Sequence, residues 1–133
     1  MKRSYIALAI GTLVAIGTVL SLPSCGHDQV LTAVTINPSG ASITGTGVIV
    51  NFQAIGTYIH PPESKDITTS VVWTSAAPQI VSIVSNTGVA TSGAGCGSNI
   101  TITATHYTNT QAQSGSVVVG TAAVSVTQVP ACP

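Results

Sequence analysis

Few residues in this sequence could carry chemistry. His60, Glu63, Asp66 and His106 supply two imidazoles and two carboxylates, enough in type to share a metal ion or to exchange protons. Their spacing matches no zinc pattern, in which ligands come in closely spaced pairs. The cysteines, Cys25, Cys96 and Cys132, include no CxxC, so neither zinc nor a thioredoxin-like redox site is indicated. Serine and threonine are abundant, yet no GxSxG elbow exposes a nucleophile. Gly93-Ala94-Gly95-Cys96-Gly97 is glycine-rich, but a strand pattern follows it, not the helix N-terminus that a phosphate loop needs. Asn99-Ile100-Thr101 fits a glycosylation sequon and opens a strand expected to be buried. No metal, cofactor or catalytic residue is therefore expected. His60 and His106 remain a weak candidate metal pole, and a small hydrolase is the least favoured reading.

Composition narrows the partners. Charged residues make up 5% of the 133-residue chain, against about a quarter in an ordinary soluble domain. Lys2 and Arg3 lie at the very start, which leaves Lys65 as the one other cation against Asp28, Glu63 and Asp66. Nucleic acid and anionic lipid surfaces are bound through clustered Lys and Arg. No such cluster exists here, so nucleic acid is excluded as a partner.

The elements that must position these residues are strands. From Leu31 onward the apolar pattern has period two, broken by turn residues at the intervals of a sandwich or barrel. Val48, Val50, Phe52, Ala54, Gly56 and Tyr58 fall on one face of a strand, with Asn51, Gln53 and Thr57 on the other. Ile100, Ile102 and Ala104 alternate with threonines, and Ala122, Val124 and Val126 repeat the pattern. Trp73, within Val71-Val72-Trp73-Thr74-Ser75, is the sequence's one tryptophan and should anchor the core together with Phe52 and Tyr58. Ile80 to Val84 is apolar at four of five positions, which predicts a strand covered on both faces or bulged. Ser85-Asn86-Thr87-Gly88 reads as a hairpin turn. No stretch past the first two dozen residues shows a capped helical period, so the expected fold is all-β: one immunoglobulin-like sandwich of about seven strands.

The order of these pieces resembles the bacterial Ig-like group 2 domain of intimin- and invasin-type adhesins. It is carried by Leu31 to Pro38, Phe52 to Tyr58, Asp66-Ile67-Thr68, Val72 to Ser75, Ile80 to Gly88 and Ile100 to Ala104. The segment from Tyr107 to Gly120 is longer than that family's last hairpin, and its Val117-Val118-Val119 should extend the final strand or add a ribbon. Such domains act as spacers or as parts of adhesive surfaces, and the resemblance implies no catalytic residues.

Ahead of the sandwich, Lys2 and Arg3 precede an apolar stretch from Tyr5 to Leu22, the pattern of a secretory signal. Leu22-Pro23-Ser24-Cys25 resembles the lipobox of bacterial lipoproteins, with Pro23 where a small or aliphatic residue is usual. That resemblance implies a signal peptide over 1–24, an acylated Cys25, a tether over 25–30 and the Ig-like domain over 31–133. An uncleaved single-span anchor is the alternative. With Cys25 assigned to lipid, Cys96 and Cys132 are left as a disulfide pair.

Alternating strand directions place Cys96 and Cys132 at one pole of the sandwich and the loops of His60 and His106 at the other. The first strand starts at the histidine pole, so a short tether from Cys25 turns that pole toward the membrane. The sequence thus predicts an exported, noncatalytic cell-envelope lipoprotein. Gly26, in place of Asp, resembles the signal that sends a lipoprotein on to the outer membrane or cell surface. The expected partners are the membrane, through the lipid, and an envelope protein or glycan contacted in adhesion. A structural accessory subunit of a larger envelope complex is the alternative.

Overall fold

The computed structural model describes residues 29–109 and 114–128. The expected signal peptide over 1–24, Cys25 and Cys132 lie outside the described residues. Every regular element among the described residues is a strand, because alternating β-branched and small polar side chains suit a pleated, half-buried surface.

The strands form two layers. One holds β1 (Val30–Asn37), β3 (Ile49–Asn51), β4 (Gln53–Ile59), β5 (Glu63–Asp66), β7 (Val81–Ile83) and β8 (Val89–Ser92). The other holds β2 (Gly40–Thr44), β6 (Val72–Ser75), β9 (Gly97–Asn109) and β10 (Ser114–Thr127).

In the first layer β3 and β4 are one run interrupted at Phe52, with β1 antiparallel along one edge of β4. Phe52 N–H donates to Gly88 O at 2.9 Å, and Ala54 O accepts from Ile67 N–H at 2.8 Å. Residues two apart direct their main-chain groups to the same side. The opposite edge therefore carries β5 beside β4, then β8 and β7 beside β3.

The second layer runs β2-β10-β9-β6, with β2 parallel to β10 and the other pairs antiparallel. The chain passes from the first layer to the second at Pro38 and Ser39, where Ser39 O accepts from Ala123 N–H at 3.2 Å. This order of strands is that of an immunoglobulin-type sandwich. It counts ten described segments where the sequence suggested about seven strands, because one long strand splits at Phe52, the first strand divides as it changes layer, and β5 adds a polar edge.

The core lies between the layers. Trp73 is 1% exposed, and its ring stands 6.3 Å from that of Phe52. Ala54, Val81, Ala90, Ile102, Ala104, Val124 and Val126 close around the pair. Each faces inward because alternate Cβ atoms of a strand point to one side of the sheet. Ser92 is the buried polar residue of the described set: its hydroxyl donates to Gly45 O at 2.7 Å and accepts from Val48 N–H at 2.9 Å, so its burial leaves nothing unpaired. Along one side the layers close tightly. A Cβ on Gly120 of β10 would lie 2.6 Å from Val34 O of β1, so only glycine lets these backbones approach so closely.

The structure changes one sequence expectation and decides between the alternatives of another. Ile80 to Val84 is neither doubly covered nor bulged: Ile80 sits in the turn before β7, Val81 and Ile83 face inward, and Ser82 and Val84 are exposed. Its apolar residues mark a short strand at the layer's edge, pairing with β8 alone. In the segment from Tyr107 to Gly120, Val117 to Val119 pair with Tyr107 to Thr105 and extend the final strand, β10, the first of the two expected courses.

Candidate functional site

The end of the sandwich where β1 begins and β4 finishes, here the upper end, collects most of the ionisable side chains described. Register explains how. Tyr58 pairs with Glu63 and Gly56 with Lys65, so Glu63 and Lys65 stand on the same face of the sheet as the Tyr58 ring. Gly56 has no side chain to intervene, and Lys65 Nζ lies 5.3 Å from the ring centroid. Glu63 Oε2 accepts from Lys65 Nζ at 3.1 Å and from Gln29 Nε2 at 2.9 Å, and Lys65 also donates to Gln29 Oε1. These bonds, Gln29 first and Lys65 second, hold the exposed Glu63 carboxyl below its ordinary pKa. The network ties the start of β1 to β5 across β4.

Beneath it a cleft of about 340 Å³ opens between the layers, lined by Gln29, Leu31, Tyr58, His106 and Val118 among others. His106 continues the inward phase of Ile100, Ile102 and Ala104, and it is half-buried at the cleft wall. His60 sits beyond it in the exposed turn between β4 and β5, at a φ of 62°. The two histidines thus share an end of the molecule but occupy different structural settings. Among the described residues no group of three or more His, Cys, Asp or Glu could hold a metal ion.

Asp66 is engaged locally. Its carboxylate accepts from Thr68 N–H at 2.9 Å, and the Thr68 hydroxyl and N–H together hold its pKa below the ordinary carboxylate value. Thr68 Oγ1 accepts from Ala54 N–H at 3.0 Å, and Thr68 O accepts from Trp73 Nε1–H at 2.9 Å. Asp66-Ile67-Thr68 is therefore a latch from β4 through β5 to Trp73. A second, open depression of about 480 Å³ lies near its far side, lined by Ser70, Val72, Asn86 and Tyr107 among others.

At the opposite, lower end, Gln128 Nε2 donates to Gly93 O at 3.0 Å and to Gly95 O at 3.1 Å. The end of β10 is thereby held on the glycine-rich turn that carries Cys96. Cys96 is disulfide-bonded; Cys25 and Cys132, the other cysteines, both lie outside the described residues. Of the three expected core anchors, Phe52 and Trp73 sit at the centre, while Tyr58 is half-buried at the mouth under Lys65.

Sequence reasoning missed Gln29 and Lys65 as members of a network. Their positions 36 residues apart acquire meaning only through the register of β1, β4 and β5. No helix among the described residues is long and apolar enough to cross a membrane. No family model matches the chain, and no curated protein matches it.

Proposed function

We propose that this chain is an exported, noncatalytic lipoprotein that is anchored through Cys25 and presents one sandwich of the bacterial Ig-like group 2 type for adhesion or for contact with envelope proteins or glycans. The observation that carries the reading is how the upper end is used. Glu63, Lys65 and Gln29 bind one another, and Asp66 binds Thr68, so these groups serve the fold and the tethered strand. The first described residue, Gln29, belongs to that network and stands four residues after Cys25. Four residues reach at most about 14 Å, so a lipid on Cys25 would set this end against the membrane and turn the Cys96 end and the sheet faces outward. In a two-membrane cell, Gly26 after Cys25 favours the outer membrane.

Mass spectrometry of the mature N-terminus tests the anchor: an acylated Cys25 is expected, and a chain beginning elsewhere or carrying an unmodified Cys25 overturns it. The second reading is an accessory subunit of a larger envelope complex. One short-tethered sandwich projects little, which favours it. Affinity isolation from solubilised membranes separates the two, because a stoichiometric protein partner supports the accessory role and retention on host proteins or glycans without one supports adhesion.

A further inference from the structure

The upper end carries apolar side chains that the fold does not use. On β10, Val117 and Val119 are 50% and 49% exposed. They point to the outer face of the hairpin, where Val117 stands opposite Tyr107 and Val119 opposite Thr105. On the other layer, Val30 and Ile59 are cross-strand partners, also substantially exposed. Val30 and the strand segment bearing Ser116 and Val118 border the same cleft, so both flanks belong to one end of the sandwich. Val48 and Ile49 are exposed as well, but they lie just before and at the start of β3, at the opposite end.

The two apolar flanks, Tyr107 with Val117 and Val119 and Val30 with Ile59, carry no charge of their own. Between them Glu63 pairs with Lys65, and the Asp66 carboxylate is held by Thr68. The flanks can therefore leave water at headgroup depth, where Glu63, Lys65 and Asp66 keep their hydration. Tyrosine beside aliphatic residues suits the boundary between headgroups and acyl chains, where a ring can be buried while its hydroxyl stays wet.

We propose that this end of the sandwich sits in the bilayer interface, with Tyr107, Val117 and Val119 on one flank and Val30 and Ile59 on the other as the residues that enter it. The inference rests on the lipid anchor at Cys25, which would deliver this end to the membrane within about 14 Å. It adds that the folded domain itself inserts and is not merely held nearby. The occupant is a neutral lipid surface, because no cluster of Lys or Arg is present to favour an anionic one.

The full, lipidated protein in phosphatidylcholine vesicles provides the test. A polarity-sensitive fluorophore is placed singly through V117C, V119C, I59C and, as the lower-end control, I49C, and quenching by lipids spin-labelled high on the acyl chain is read. The expected result is several-fold stronger quenching at the first three sites than at I49C, and loss of quenching at I59C when V117D and V119D are added. Acylated protein with equal, weak quenching at all four sites overturns insertion and leaves the anchor standing. Quenching at I59C that V117D and V119D do not change reduces the effect to proximity and also overturns it. Protection of V117C in detergent micelles that rises with protein concentration assigns the patch to a second copy, again overturning it. An unmodified Cys25 overturns both the anchor and the inference.

Discussion

The indole Nε1–H of Trp73 donates to the main-chain oxygen of Thr68 at 2.9 Å, joining the strand that carries the core's largest side chain to the turn that leads into it from the other layer. Thr68 in turn receives Ala54 N–H on its hydroxyl and sends its own N–H to Asp66. One threonine thus satisfies donors from two strands.

W73F keeps an aromatic ring but strands the Thr68 carbonyl and leaves a void. The expected cost is about 3 kcal/mol, from the unmade bond and the lost volume together. T68V removes the acceptor for Ala54 N–H and should cost about 1–3 kcal/mol. Urea unfolding followed by circular dichroism, with the disulfide intact, measures both. A T68V protein as stable as the parent would show that water replaces the hydroxyl.

Gly88 and Gly47 both have positive φ, 70° and 75°, but differ in what surrounds them. A Cβ at Gly88 would lie 2.4 Å from Phe52 O and 3.0 Å from the Trp73 ring, whereas at Gly47 nothing lies within 4 Å. G47A should cost only the left-handed conformation, about 1–2 kcal/mol. G88A must in addition displace the backbone beside the core's two large rings, so its midpoint in urea should fall well below that of G47A. Equal midpoints would mean that the Phe52 break between β3 and β4 absorbs the clash.

Strands with one face in the core were legible in the sequence. The alternation of Phe52, Ala54 and Gly56, and of Ile100, Ile102 and Ala104, maps directly onto burial. Elements that depend on distant partners were not. β2 buries Ile43 alone and exists because β10 offers it a parallel edge, while β5 is exposed throughout and is defined by its bonds to β4. In β1 the register shifts between Leu31 and Ala33, so Leu31 and Val34 both turn inward at a spacing of three, which period two does not anticipate. At the upper end the histidines could be placed at one pole, but the Gln29, Glu63 and Lys65 network required the register of three strands.

Asp66 makes the fold sensitive to acid. The Thr68 hydroxyl and N–H favour its ionised form, so its folded pKa lies below the unfolded value of about 3.9. The stability it contributes is complete above that value and disappears as pH falls through the folded pKa. Glu63 titrates with the same sign, so the comparison belongs in an E63Q background. There, D66N should lose less stability than its parent between about pH 6 and about pH 2.5. Identical pH profiles would exclude Asp66 as the source.

The partner proposed for Cys96 is Cys132, which follows a strand end already held on the Gly93 to Gly95 turn by Gln128. Closing that loop stabilises by about 4 kcal/mol in a chain-entropy treatment. Peptide mapping without reduction should recover Cys96 joined to Cys132, and reduction should lower the urea midpoint. Recovery of Cys96 joined to Cys25 would contradict the pairing and the acylated anchor together.

The parallel register of β2 on β10 has a mechanical consequence. β1 enters at the upper end and β10 leaves at the lower one, so tension between the two ends pulls β2 and β10 in opposite directions along their shared ladder, from Gly40 opposite Ala123 to Thr44 opposite Thr127. Those hydrogen bonds are loaded in shear and must yield together, whereas a hairpin pulled from its open end unzips one bond at a time. A module held at one end and tugged at the other resists through its least conspicuous strand.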